Sequence, residues 1–110
     1  MPNFDKSGRL RKRIEFTKVA ALGNKLYLAD FIIVKAASDL SWPRIGITVS
    51  RKVGNSVIRN KIKRLLREFF RNNRDLFLPA DYNIIARSGA VKLGYDALCQ
   101  ELVNGLCRIG

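Results

Sequence analysis

The chain is predicted to fold as an α+β sandwich, one domain over residues 1–110, with elements in the order α-β-β-α-β-α. Three observations lead there. Stretches rich in β-branched and aromatic residues occur at 27–36, 44–53 and 82–87, while apolar residues recur at helical spacing in three others. A chain of this length buries roughly two-thirds of the surface its unfolded form exposes, which suits one core and leaves no room for a second domain. No internal repeat, low-complexity segment or composition break marks a linker.

The first helix is expected over residues 12–22, with Ile14, Val19 and Leu22 as core contacts and Gly23-Asn24 as its stop. Between the strands at 27–36 and 44–53 lies Ser38-Asp39-Leu40-Ser41-Trp42-Pro43, whose turn chemistry predicts an antiparallel pair joined by a short loop. Trp42 is expected to pack within that loop and is assigned no role. Residues 56–73 carry the clearest helical pattern. At about 100° per residue, Ile58, Ile62, Leu65, Leu66 and Phe69 fall within an arc of roughly 100°, the face expected to be buried. Asn55 or Ser56 is the candidate N-cap, and Gly54-Asn55 supplies the turn before it. A third strand at 82–87 and a closing helix at 94–109, with Tyr95, Leu98, Leu102, Leu106 and Ile109 in register, complete the order.

Charge is the unusual quantity. Lys and Arg number 21 against 9 Asp and Glu, a net +12. Residues 51–74 hold nine of the cations with only Glu68 opposing them, and residues 6–18 hold six with only Glu15. The rest of the chain is nearly neutral. Concentration into two segments points to a binding surface for a polyanion, since cations needed only for solubility would be scattered. On the helix at 56–73, Arg59, Lys63, Arg67, Arg71 and Arg74 line one flank and the outward face, Arg64 lies behind them, and Lys61 falls on the other flank.

Several function classes drop out. The chain has no histidine, its nine carboxylates are scattered singly, and no glycine-rich phosphate loop occurs, so neither an acid–base pair nor a protein-held metal site is indicated. Cys99 and Cys107, about 12 Å apart along one helix, cannot bridge and are expected to be buried thiols in a reducing, cytoplasmic setting. Neither a secretory signal nor a membrane-spanning run is indicated.

The run Gly46-Ile47-Thr48-Val49-Ser50-Arg51-Lys52-Val53-Gly54-Asn55-Ser56-Val57-Ile58-Arg59-Asn60-Lys61-Ile62-Lys63-Arg64-Leu65-Leu66-Arg67-Glu68 closely resembles the signature of the bacterial ribonuclease P protein family. Arg9-Leu10, Glu15-Phe16 and Lys18-Val19 resemble that family's first helix, and Asp81-Tyr82 with Ile84-Ile85-Ala86-Arg87 its third strand, so the resemblance spans nearly the whole chain. It implies a fold similar to a ribosomal-protein domain, with a left-handed βαβ crossover that carries the basic helix. It also implies an accessory subunit of an endoribonuclease, partnered by ribonuclease P RNA and the 5′ leader of precursor tRNA. Catalytic groups and the Mg2+ they use would then belong to the RNA.

Residue by residue, the resemblance places Arg51, Lys52, Asn55, Arg59, Asn60, Lys63, Arg64 and Arg67 against the catalytic RNA. Lys61 joins them where the family usually has arginine, a point charge in place of a planar fork. In a separate cleft for the leader, Phe16 and Phe31 match aromatic positions able to stack on unpaired bases, and Arg11 and Arg13 border them. Ala20 and Val34 fall at positions implied to be aromatic in relatives, which reduces the stacking platform. A core role for Phe16 and Phe31 is an equally open reading of the residues alone. A structural RNA-binding protein of ribosomal type, or a nonspecific DNA binder, would share the charge and the element order.

Overall fold

A computed structural model of the chain describes residues 8–109, so Lys6 of the first basic segment lies outside the described residues. The elements are α1 (Arg13–Leu22), β1 (Asn24–Tyr27), β2 (Phe31–Ala37), β3 (Arg44–Thr48), α2 (Ser56–Asn72), β4 (Ala80–Ala86) and α3 (Tyr95–Ile109), with 3-10 turns at Arg74–Leu76 and Ser88–Lys92. The α+β class and the three helices match expectation. One strand is additional: the stretch at 27–36 is not a single strand but the end of a hairpin, in which β1 pairs antiparallel with β2 and the Leu28 N–H donates to the Phe31 carbonyl at 2.8 Å. The order is therefore α-β-β-β-α-β-α.

The sheet runs β1-β2-β4-β3, with β4 antiparallel to β2 and parallel to β3. The expected antiparallel pair of residues 27–36 with 44–53 does not form, because β4 occupies the place between them. It suits that place chemically. Its side chains alternate between Ala80, Tyr82, Ile84 and Ala86 on one face and Asp81, Asn83 and Ile85 on the other, and all but Ile85 are buried. The six-residue β2–β3 loop needs to cross only two strand spacings, about 10 Å. β3 is also shorter than the strand expected at 44–53. After Thr48 the chain turns, Val53 N–H donating to Ser50 O at 3.1 Å, so Val49 and Val53 are buried while Arg51 and Lys52 stand exposed at the tip.

Parallel pairing of β3 with β4 requires a crossover, and α2 supplies it. Asn55 is its N-cap, its side-chain oxygen accepting from Ile58 N–H at 3.0 Å. The expected stripe is buried, fully at Ile62, Leu66 and Phe69 and partly at Ile58 and Leu65. Phe70, outside that stripe, is buried as well. It meets Phe77 edge-on at 5.3 Å between centroids, and Phe77 meets Tyr82 of β4 at 5.0 Å. The Tyr82 hydroxyl, its pKa raised by burial, accepts from Leu78 N–H at 3.0 Å. These rings bolt the C-terminal half of α2 to the central strand.

The sheet separates two cores. The larger lies beneath α2 and α3 and includes Phe31, Ile33, Tyr82, Ile84, Leu98 and Leu102. The smaller lies beneath α1: Leu10, Val19, Val34 and Ala36, with Phe16, Ile32 and Ile85 packed against them. Ile14 and Leu22, expected as core contacts, are 72% and 68% exposed, leaving Val19 as the buried residue of the three. Ile14 lies about 140° around the helix from Val19; Leu22 lines an open cleft with Lys18 and Ala37. The helix stops at Gly23 as expected. Its φ is −83°, so the need is for close approach: a Cβ there would stand 2.5 Å from the Val19 carbonyl oxygen and 2.6 Å from Val34 Cγ1.

Both cysteines are free. Cys99 is half-buried against the larger core, but Cys107 is exposed, contrary to the expectation that both are buried, because it sits about 140° around α3 from the buried Leu102. Replacing Phe69 by alanine is expected to lower unfolding free energy by about 3–5 kcal/mol through loss of a fully buried ring. Cys107→Ser should change it by less than about 0.5 kcal/mol. Urea unfolding of the two variants checks both.

Candidate nucleic-acid interface

The outward side of α2 is built from what its apolar anchor leaves over. With Ile62, Leu66 and Phe69 held down, Asn60, Arg64 and Arg67 project away from the sheet, Arg59 and Lys63 occupy one flank and Lys61 the other. Arg51, Lys52, Asn55, Asn60, Lys61, Arg64 and Arg67 are exposed, and Arg59 and Lys63 are half-buried. Among the described residues no cation of α2 is held in an ion pair. Partial positive charge at the helix N-terminus adds to theirs.

Two members of this group also have structural work. Arg59 Nε donates to the Gly54 carbonyl at 3.1 Å, tying the helix to the turn that carries Arg51 and Lys52. The Asn55 side-chain oxygen is engaged in capping, which leaves its amide nitrogen as the donor for an outside partner.

Beside the ridge, at the edge of β3, is a cleft of about 410 Å3 lined by Arg9, Leu10, Arg11, Phe16, Ile45, Ile47 and Arg67. Leu10 N–H donates to the Ile45 carbonyl at 3.0 Å and Arg9 bridges to Ile45 in parallel, so residues 9–10 form a rim along part of β3. Phe16 is half-buried, its ring lying on the strand where Gly46 leaves space: a Cβ at Gly46 would come 2.5 Å from Phe16 Cε1. Arg67 reaches this cleft from α2. The ridge and the cleft, expected as separate surfaces, therefore meet.

Of the expected cleft residues, the structure brings Arg11 and Phe16 together and leaves Arg13 exposed outside the lining. Phe31 is a correction. It is 0% exposed within the larger core, on the face of the sheet opposite Phe16, because side chains along β2 alternate and Phe31 shares the side of Ile33. No base can stack on it in this fold. Val34 is likewise buried, under α1, whereas Ala20 is exposed. Arg9 and Ile47 were not expected in the cleft. Arg9 belonged to the first basic segment and could have been suspected, but Ile47 enters only because β3 is an edge strand.

One guanidinium fixes α1 over this face. Arg44 donates from Nε and Nη2 to the two carboxylate oxygens of Asp81 at 2.9 and 2.8 Å, and from Nη1 to Glu15 at 2.6 Å. The other Glu15 oxygen accepts from Arg11 N–H at 2.8 Å and Lys12 N–H at 3.0 Å, satisfying donors at the start of α1. Those two backbone hydrogen bonds, with the Arg44 charge behind them, hold the Glu15 carboxyl down to about 2. Arg44 is pushed above the usual arginine range, chiefly by its hydrogen bond to Asp81. Below the fork, Thr48 Oγ1 donates to the buried Asn83 Oδ1 at 3.0 Å, so this polar face of β4 is satisfied.

The fold is that of solved bacterial ribonuclease P proteins. The Staphylococcus aureus protein superposes with a TM-score of 0.85 at 30% identity, covering 94% of this chain and 98% of that one, and the Thermotoga maritima protein with 0.85 at 31%, covering 93% and 97%. In sequence, the ribonuclease P protein component of Geotalea uraniireducens is 49% identical over 96% of this chain and 94% of its own length, and that of Bacillus velezensis 35% identical over 88% and 84%. A model of the Ribonuclease P family matches residues 4–110, and the chain belongs to that family. Among the described residues, no helix is long and apolar enough to cross a membrane.

The Glu15 carboxyl titrates in the folded chain below its ordinary value of 4.5, so its stabilising effect is whole above about pH 4.5 and is lost as pH falls toward about 2. Glu15→Gln is therefore expected to be less stable than the parent near neutral pH, with the difference shrinking across that acid window. Thermal unfolding of both proteins at a series of pH values checks this.

Proposed function

We propose that the chain binds ribonuclease P RNA through the cationic side of α2 and the Arg51-Lys52 turn, and holds the 5′ leader of precursor tRNA in the Phe16 cleft. The observation that carries this reading is a run of cations, free of carboxylate partners, that leads from Lys52 to Arg67 and into a cleft floored by an aromatic ring. Phosphates answer the first feature and unpaired bases the second.

The holoenzyme's reaction would be hydrolysis of one phosphodiester, releasing the leader and leaving a 5′-phosphate on the mature tRNA. Among the described residues no group of three or more carboxylates, thiols or imidazoles gathers to hold a metal ion. In this reading Mg2+ and the reacting groups belong to the RNA, and no step passes through a side chain of this protein. The protein contributes binding energy: ordering the leader at Phe16 positions the scissile bond, which raises the rate insofar as that order persists in the transition state.

Reconstitution with a bacterial ribonuclease P RNA at low Mg2+ tests the reading, and added protein should stimulate cleavage of precursor tRNA. Changing Lys63, Arg64 and Arg67 together to alanine should weaken assembly and make the slope of log affinity against log salt shallower by about 2–3, the share of three phosphate contacts. An unchanged slope would mean that this side faces solvent. Phe16→Ala should weaken precursor tRNA more than mature tRNA, by about fivefold or more. Equal loss on both would remove the leader from the cleft.

A further inference from the structure

Trp42 belongs to neither hydrophobic core and is only half-buried in the β2–β3 loop. It lines a second cleft, of about 240 Å3, together with Arg9, Arg11, Lys12, Glu15 and Arg44. Arg9 and Arg11 also line the Phe16 cleft, so the two recesses adjoin across those side chains. Four cations and one carboxylate line it; that carboxylate is held by Arg44 and by the backbone at the start of α1, and Arg44 is engaged in turn by Asp81. Arg11 and Lys12, which form no ion pair among the described residues, thus leave the cleft positively charged beside the indole.

We propose that Trp42 extends the Phe16 cleft into a second stacking position, where a further unpaired nucleotide of the precursor's leader lies on the indole while Arg9 and Arg11 meet the connecting phosphates. The proposal rests on the leader reading of the Phe16 cleft and lengthens its path. Single-stranded RNA is the occupant that fits both features, since it alternates a π-face with an anionic link, whereas duplex RNA keeps its bases stacked on one another.

The position is also prepared before binding. Leu40 N–H donates to Ser38 Oγ at 3.1 Å, Pro43 restricts the chain beside the indole, and two residues on the Arg44 fork is locked to Asp81 and Glu15. A ring held this way loses little freedom when a base settles on it.

Trp42 is the sole tryptophan of the chain, so its emission reports on its own surroundings. Titration with a short single-stranded oligoribonucleotide of leader sequence should quench that emission, and the same length of duplex RNA should not. In the reconstituted holoenzyme, Trp42→Ala should lower affinity for precursor tRNA by between about fivefold and about 100-fold while sparing mature tRNA. Trp42→Phe, which retains a ring and guards against a folding defect, should recover most of the loss. Unchanged emission, together with a Trp42→Ala variant that keeps its preference for precursor while Phe16→Ala loses it, overturns the proposal and leaves the leader reading standing. If neither variant alters that preference, both fall. Equal loss of precursor and mature tRNA in Trp42→Ala, or no recovery in Trp42→Phe, also overturns the proposal.

Discussion

The placement of β4 between β2 and β3 is the constraint from which the rest of the molecule follows. A strand in that position is covered on both faces, and β4 meets this with Tyr82 and Ile84 on one side and Asp81, Asn83 and Ile85 on the other. Parallel alignment with β3 then forces the chain across the sheet, and the segment that crosses is the one with a narrow apolar stripe and cations elsewhere. Because Phe77 and Tyr82 hold that helix at its C-terminal half, its charged side has one orientation available, outward.

Unpaired cations on a surface are ordinarily a modest liability, since they repel one another and raise the energy of the compact state. Here the repulsion is opposed by an anchor of four buried apolar side chains, each worth roughly 1.5–3 kcal/mol of burial. An apolar underside of that strength lets the upper side be chosen for a partner instead of for stability. Folding is thus carried by one side of the helix, and the proposed RNA contact by the other.

The opposite face is held differently. α1 has one fully buried side chain, Val19, with Phe16 half-buried beside it, and so little apolar grip leaves its direction underdetermined. The Arg44 fork supplies what packing does not, joining the first turn of α1 to β4 through hydrogen bonds whose planar geometry admits one arrangement. Positions of Phe16 and Arg11 follow from it, while the residues 9–10 rim is held separately by its backbone pairing with Ile45 of β3. A weakly packed helix over a cleft is also a sensible place for a binding surface, because side chains that are not consumed by the core remain available.

What the sequence by itself determined was local: the three helices, the Asn55 cap, the stop at Gly23, the apolar stripe of α2 and its cationic remainder, and through the long signature around Arg51–Arg67 the family. Each rests on spacing along a single element, where periods of 3.6 or 2 and capping chemistry leave a direct imprint. Tertiary structure alone decided which strands are neighbours and which face each helix covers. For that reason Phe31 and Phe16 read alike as aromatic candidates, yet one is sealed in the larger core and the other lines a cleft. Alternation along β2 makes Phe31 and Val34 point to opposite sides, but it does not say which side α1 will take. Arg67, Arg9 and Trp42 are far apart in sequence, and their approach to a common region depends on the edge position of β3 and on the Arg44 fork, both products of long-range pairing that no local pattern encodes.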